Sequence, residues 1–319
     1  MKGYIALSAL LLIVVALGAP LIGSTHVDLG RAFSGVSPDY EIFFFARLPR
    51  VLLALLTGAA LSITGVTFQC MLRDPLAEPY TLGVSSGASV GAVLAICLGI
   101  PSVSLAALVG AAAVLFIVVG VSLDGRRVSS FTLLLTGVTM NSIAFAAILF
   151  LHSIASFGQS FAISRWLMGG LDAVPYSTVA WLAGISIPIM AAITLYAPQW
   201  NLLSVGEEWA ASRGVSTARL TLFGYIAGSV LTGLATALTG PIGFVGLIVP
   251  HALRLKFGAD HRMLMPCAIL LGAAFLAICD TLSRTMIPPT DIPVGVLTAM
   301  GGGPFFLWLL RHKRRHLWT

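Results

Sequence analysis

The sequence predicts an all-α integral membrane protein of about ten spanning helices, with both termini in the cytoplasm. Three observations predict it: a composition poor in charge, apolar runs of spanning length along the whole chain, and basic residues gathered between those runs. Of 319 residues, 58% are hydrophobic and 9% charged, with a mean hydropathy of +0.98. A soluble domain carries roughly 25% charged residues. So few charges cannot clothe a surface facing water, and a bilayer is the solvent that suits such a chain.

A helix rising 1.5 Å per residue needs about 20 apolar residues to cross the hydrocarbon. Runs of that order begin at 4–22, which follows Lys2. Ala16-Leu17-Gly18-Ala19 within it resembles a signal-cleavage site, but the run is as long as a span and the rest of the chain is already polytopic, so it is read as a retained first helix. The later runs are 49–70, 82–99, 102–122, 131–152, 177–197, 219–239, 241–257, 264–284 and 293–311. No intervening stretch is large enough to fold alone, so residues 1–319 form a single membrane domain. Small residues mark many runs, and Gly58-AALSIT-Gly65 is echoed by Gly233-LATALT-Gly240 in a run of opposite direction, as in transporters built from inverted repeats.

Charge placement sets the orientation. With a cytoplasmic N-terminus, 13 of the 18 basic residues fall inside, including Arg126, Arg127, Arg254, Lys256, Arg311, Lys313, Arg314 and Arg315. Arg31, Arg47, Arg50, Arg165 and Arg284 fall outside, as the positive-inside rule prefers. The net charge of +6 therefore reads as topology, and nucleic acid is not an expected partner. The expected location is the inner (cytoplasmic) membrane, with lipid around the chain.

Chemistry-bearing patterns are scarce. The four cysteines and six histidines show no metal-ligand spacing, so no metal site is expected. No nucleophile elbow, zinc-protease motif or poised carboxylate pair is present, so no catalytic residue is assigned. The three lysines, Lys2, Lys256 and Lys313, stand in no phosphate-binding loop. Any nucleotide energy must then come from a partner. Asp280 with Arg284, one turn apart, and Asp74 with Glu78, in a proline-interrupted connection, are the main charges near spans. That scarcity argues against an ion-coupled secondary transporter, the alternative function, and against an intramembrane enzyme.

The most informative connection is 199–218. Glu207 and Glu208 suit a helix N-terminus, and Gly214 suits a left-handed cap at its end. A short polar helix between two spans serves either as solvated surface or for docking, and composition leaves both open.

Several segments together resemble the FecCD-type permease family of ABC importers for iron siderophores, haem and cobalamin. They are Arg47-Leu48-Pro49-Arg50, Asp74-PLAEPYTLGVSSG-Ala88, the Glu207–Gly214 stretch, Gly243-FVGLIVPHALRL, Asp260-His261-Arg262 and Asp291-IPVGVLTAMGGGPFFLWLL. Together they cover nearly the whole chain. The resemblance implies a type II importer permease that pairs with a second copy. Two ABC ATPase subunits holding ATP and Mg would drive it, a substrate-binding protein would deliver a metal-chelate cargo, and this chain would bind no cofactor itself. It also implies that Glu207, Glu208, Ala211, Arg213 and Gly214 contact the ATPase as a coupling helix. Arg47, Arg50 and Arg284 would be outward arginines that meet glutamates of the binding protein, the other role for each being an interfacial anchor. Asp74 and Leu76, with Ser129 and Ser130, would border a cytoplasmic gate.

Overall fold

The computed structural model describes residues 2–124, 127–288 and 290–312. Arg126, Lys313, Arg314 and Arg315, on which part of the orientation rests, lie outside the described residues, as does His316.

From the N-terminus, α1 (Lys2–Gly18) passes through a short 3-10 turn to α2 (Leu29–Phe33) and α3 (Asp39–Glu41). The π-helical stretch Ile42–Arg47 then runs straight into α4 (Leu48–Leu72), where Pro49 fits the first turn because its missing N–H would have no partner there. Next come α5 (Val84–Leu98) and α6 (Val103–Ser122). The chain turns through a two-residue ribbon, β1 (Leu123–Asp124) against β2 (Arg127–Val128), and enters α7 (Ser130–Ile154) and α8 (Phe157–Leu167). It continues with α9 (Tyr176–Leu195), α10 (Ala197–Val205), α11 (Glu207–Ser212), α12 (Thr217–Thr239), α13 (Val245–Phe257), α14 (His261–Ser283) and α15 (Val294–His312).

Among the described residues every predicted apolar run is helical. Seven stretches are long and apolar enough to cross a membrane, and Val84–Leu98 and Val294–Trp308 are shorter apolar helices. The run 241–257 is helical only from Val245, which leaves α13 with 13 residues. Amphipathic α8 had no counterpart among the predicted runs. Its signal is local: Ser156 and Gln159 form a reciprocal capping box.

Burial sorts the helices into a centre and a rim. In the most apolar 18 residues of each stretch, 83% are buried for the one containing α4, 72% for α12 and 67% for α14, whereas α1, α6, α7 and α9 fall between 17% and 28%. On the rim the exposed side chains are large and apolar, among them Phe116, Phe131, Trp181 and Leu195, as lipid requires of an outer face. At the centre small residues set the spacing. A methyl group on Gly58 would overlap the carbonyl of Gly272 in α14, and one on Gly65 would overlap that of Gly246 in α13. Contacts this close are how helices gain packing over lipid tails.

Two long helices end in loops that dip into the interior and restart as shorter helices: α4 to α5 through 73–83, and α12 to α13 through 240–244. Each restart begins on a left-handed residue, Gly83 (φ 86°) and Phe244 (φ 69°). Non-helical backbone inside a membrane protein must find its hydrogen bonds within the protein, and here side chains of the first loop accept from the backbone of the second. The Ile242 N–H donates to the Tyr80 hydroxyl (2.5 Å) and the Phe244 N–H to the Glu78 carboxylate (3.4 Å). From α7, Asn141 donates to the Tyr80 carbonyl at 3.1 Å. Burial in this junction raises the Glu78 carboxyl above its ordinary range, while the Phe244 N–H pulls it partly back.

Candidate coupling and gate site

The segment 206–215 folds as its residues predict. Gly206 breaks the chain between α10 and α11, and Glu207 and Glu208 occupy the first turn of α11, where the helix dipole favours carboxylates. At the far end Gly214 is left-handed (φ 82°). Its N–H bonds the Ala211 carbonyl at 3.0 Å and the Val215 N–H bonds that of Ala210 at 3.1 Å, the two bonds of a Schellman cap.

The five residues assigned to coupling divide in two. Glu208, Ala211, Arg213 and Gly214 are exposed. Arg213 lies over the ring of half-exposed Trp209, 4.7 Å from its centroid, while Ala210 is fully buried and anchors the turn. Glu207 is half exposed and is the one of the five held by other segments. Its Oε1 pairs with Arg73 at 3.0 Å and accepts the Ser130 hydroxyl at 3.5 Å.

Those two contacts join the coupling segment to both candidate gate segments. Arg73 is the left-handed residue that caps α4 (φ 51°), and Asp74 follows it directly. Asp74 accepts the Leu76 N–H at 2.9 Å, which folds the start of the loop back and leaves Leu76 half exposed. Ser129 caps α7 by accepting the Thr132 N–H at 3.2 Å, and Ser130 is the first residue of that helix. Sequence reasoning missed Arg73, though a basic residue directly before Asp74 at a helix end was visible. A second brace holds α10 to α14: Asn201 donates to Asp260 (2.7 Å) and accepts the His261 N–H (2.7 Å). Hydrogen bonding by the Asn201 amide is the main reason the Asp260 carboxyl lies below its ordinary range.

At the opposite end of α4, of the three arginines expected to meet a binding protein, Arg47 and Arg284 are buried and not exposed, and Arg50 is partly buried at the edge of a cavity. Arg47 is 6% exposed, donating to the carbonyls of Pro20 and Leu21 (3.3 Å each) and to Thr25. Arg284 is 5% exposed, donates to the Ala19 carbonyl at 2.8 Å and lies 3.4 Å from Asp280. Arg50 bridges buried Asp280 (2.8 Å) and half-exposed Asp291 (2.7 Å). The physical reason is local. The turn after α1 leaves carbonyls without helical partners, and Asp280 on central α14 needs cations close by. Beside this cluster lies a cavity of about 770 Å³ lined in part by Arg50, Arg165, Trp166, Asp172 and Asp291.

Residues 9–312 match the model of the FecCD transport family. The chain belongs to that family. The hemin transport system permease protein HmuU of Yersinia pestis is 37% identical over 315 residues, covering 96% of this chain and 94% of the relative. The vitamin B12 import system permease protein BtuC of Shigella boydii is 35% identical over 315 residues, covering 98% and 95%. A solved chain of a metal-chelate type ABC transporter in an inward-facing conformation superposes with a TM-score of 0.86 at 29% identity, covering 97% of this chain and 99% of that one.

Proposed function

We propose that this chain is the membrane-spanning permease subunit of an ABC importer that carries a metal chelate, such as haem, cobalamin or an iron siderophore, across the inner membrane. In this reading ten helices cross the bilayer and both termini are cytoplasmic. A second copy completes the pathway, two ATPase subunits dock on α11, and a binding protein delivers cargo at the end that holds Arg50. That arginine reaches a docked carboxylate by exchanging its half-exposed partner Asp291, while Arg47 and Arg284 fix the surface around it.

One observation carries the reading: a single carboxylate, Glu207, ties the start of the coupling segment to Arg73, beside Asp74, and to Ser130, beside Ser129. The exposed face of α11, with Glu208, Trp209 and Arg213, is left for the ATPase. Movement of α11 is thereby passed to both gate segments, and alternating access follows if ATP and cargo favour different arrangements of them. Asp280 has its charge matched by Arg50 and Arg284, which suits a structural tie better than an ion relay.

The test is reconstitution in liposomes with the ATPase and binding protein, offering each chelate in turn. One of them is expected to raise ATP turnover and accumulate inside. Arg73→Glu is then expected to retain the ATPase but abolish uptake, and Arg73→Glu with Glu207→Arg to restore part of it. The Arg73–Glu207 pair is half exposed, so it contributes only about 0–1 kcal/mol to stability and its loss leaves the fold intact. Undiminished uptake by Arg73→Glu would overturn the coupling route.

A further inference from the structure

We propose that the groove between α1, α13 and α14 is a binding site for an anionic phospholipid, its phosphodiester held by Lys256 and one acyl chain lying along the groove. The groove has a volume of about 540 Å³, and apart from Ser8 and the lysine its walls are apolar or aromatic, with Leu11, Ala252 and Phe275 among them. It opens outward past exposed Leu7, Leu11 and Ile278, on the rim where lipid meets the protein. Lys256 marks its mouth, one residue before α13 ends. The ammonium lies 5.9 Å from the Tyr4 ring centroid and 5.8 Å from that of Phe257, and the two rings lie 4.6 Å apart. Among the described residues no carboxylate pairs with it.

Cation, rings and groove are arranged as a lipid is. Tyrosine and lysine favour the headgroup level. A basic residue at the top of a cleft between spans attracts an anionic headgroup, and the apolar walls take the chain. A bare phosphate would use the lysine alone and leave the groove unfilled. The site stands on its own geometry, so its failure would leave the importer reading intact, and the converse also holds.

The full chain, delipidated in detergent, is titrated with phosphatidylglycerol and with phosphatidylcholine of matched chains, and bound lipid is counted by native mass spectrometry. Wild type is expected to prefer phosphatidylglycerol about fivefold, the effect of one surface lysine on an anionic headgroup. Lys256→Gln should remove the preference while keeping phosphatidylcholine, Lys256→Arg should restore it, and Ala252→Trp should reduce binding of both lipids by filling the groove. Excess inorganic phosphate should displace neither. Equal binding of both lipids by wild type, or an unchanged preference in Lys256→Gln, would overturn the proposal. So would a photoreactive side chain at Leu11 that couples to a second protein copy in membranes and yields no lipid adduct.

Discussion

The two ends of α4 carry charge in opposite ways. At its N-terminal end Arg47, Arg50 and Arg284 close on Asp280 and on the carbonyls of Ala19, Pro20 and Leu21, so the charges are spent inside the molecule. At its C-terminal end Arg73 meets Glu207 with both side chains half in solvent, and the neighbouring face of α11 leaves Glu208 and Arg213 exposed. Both sets of charges look alike in the sequence, as short basic or acidic marks beside apolar runs. Packing decides between them. Where a second charge rides on a central helix, as Asp280 does, the arginines are drawn inward as a tie; where the partner lies on a short peripheral helix, the pair stays wet and its surroundings remain free to dock.

The sharpest way to break this contrast is at Asp280. Asp280→Ala leaves buried Arg284 and partly buried Arg50 with less than their charge matched. Removing one member of such a buried set costs about 3–5 kcal/mol. The expected result is a large loss of folded protein by size-exclusion chromatography in detergent, whereas Glu207→Ala at the wet end changes yield little. Equal yields would mean that the buried cluster is no tighter than the exposed pair.

Much of the fold was legible because membrane helices announce themselves by length and hydropathy, and each apolar run did become a helix. The cap at Gly214 was legible for a different reason: its geometry is set by residues within one turn. Neither property reaches across the chain. That Tyr80 would receive the Ile242 N–H, or Glu78 that of Phe244, depends on two loops about 160 residues apart meeting in the interior. The burial of Arg47 and Arg284 was hidden in the same way, since the carbonyls they satisfy belong to the turn after α1. The coupling and gate residues were named separately, and only the fold joins them through Arg73 and Glu207.

A smaller perturbation sharpens the comparison at the open end. Gly214 is left-handed with free space around it, so Gly214→Ala brings no clash and costs only the backbone term of about 1–2 kcal/mol. That energy falls on the cap of α11 and not on the core. Whole-chain melting should hardly move, while hydrogen exchange at Arg213, Gly214 and Val215 rises and, on the proposed coupling role, affinity for the ATPase drops severalfold. A fall in global melting as large as that of Asp280→Ala would show the coupling turn to be part of the core after all.

The smallest effects come from two carboxylates whose shifts have opposite sign. Asp260, beside the coupling end, has a lowered folded pKa, so its contribution is present above its unfolded value of about 3.9 and is lost as pH falls through the folded value. Glu78, in the interior junction, has a raised folded pKa. Its ionisation is easier in the unfolded chain, and stability therefore falls as pH rises from about 4.3 to the folded value. In melts between pH 3 and 7, Asp260→Asn should flatten the acid limb and Glu78→Gln the decline toward neutrality. The Asp260 limb rests chiefly on the Asn201 amide, so Asn201→Ala should shrink it, whereas the limb of shielded Glu78 should persist. If Asn201→Ala erased both limbs alike, the two carboxylates would not be held by separate surroundings.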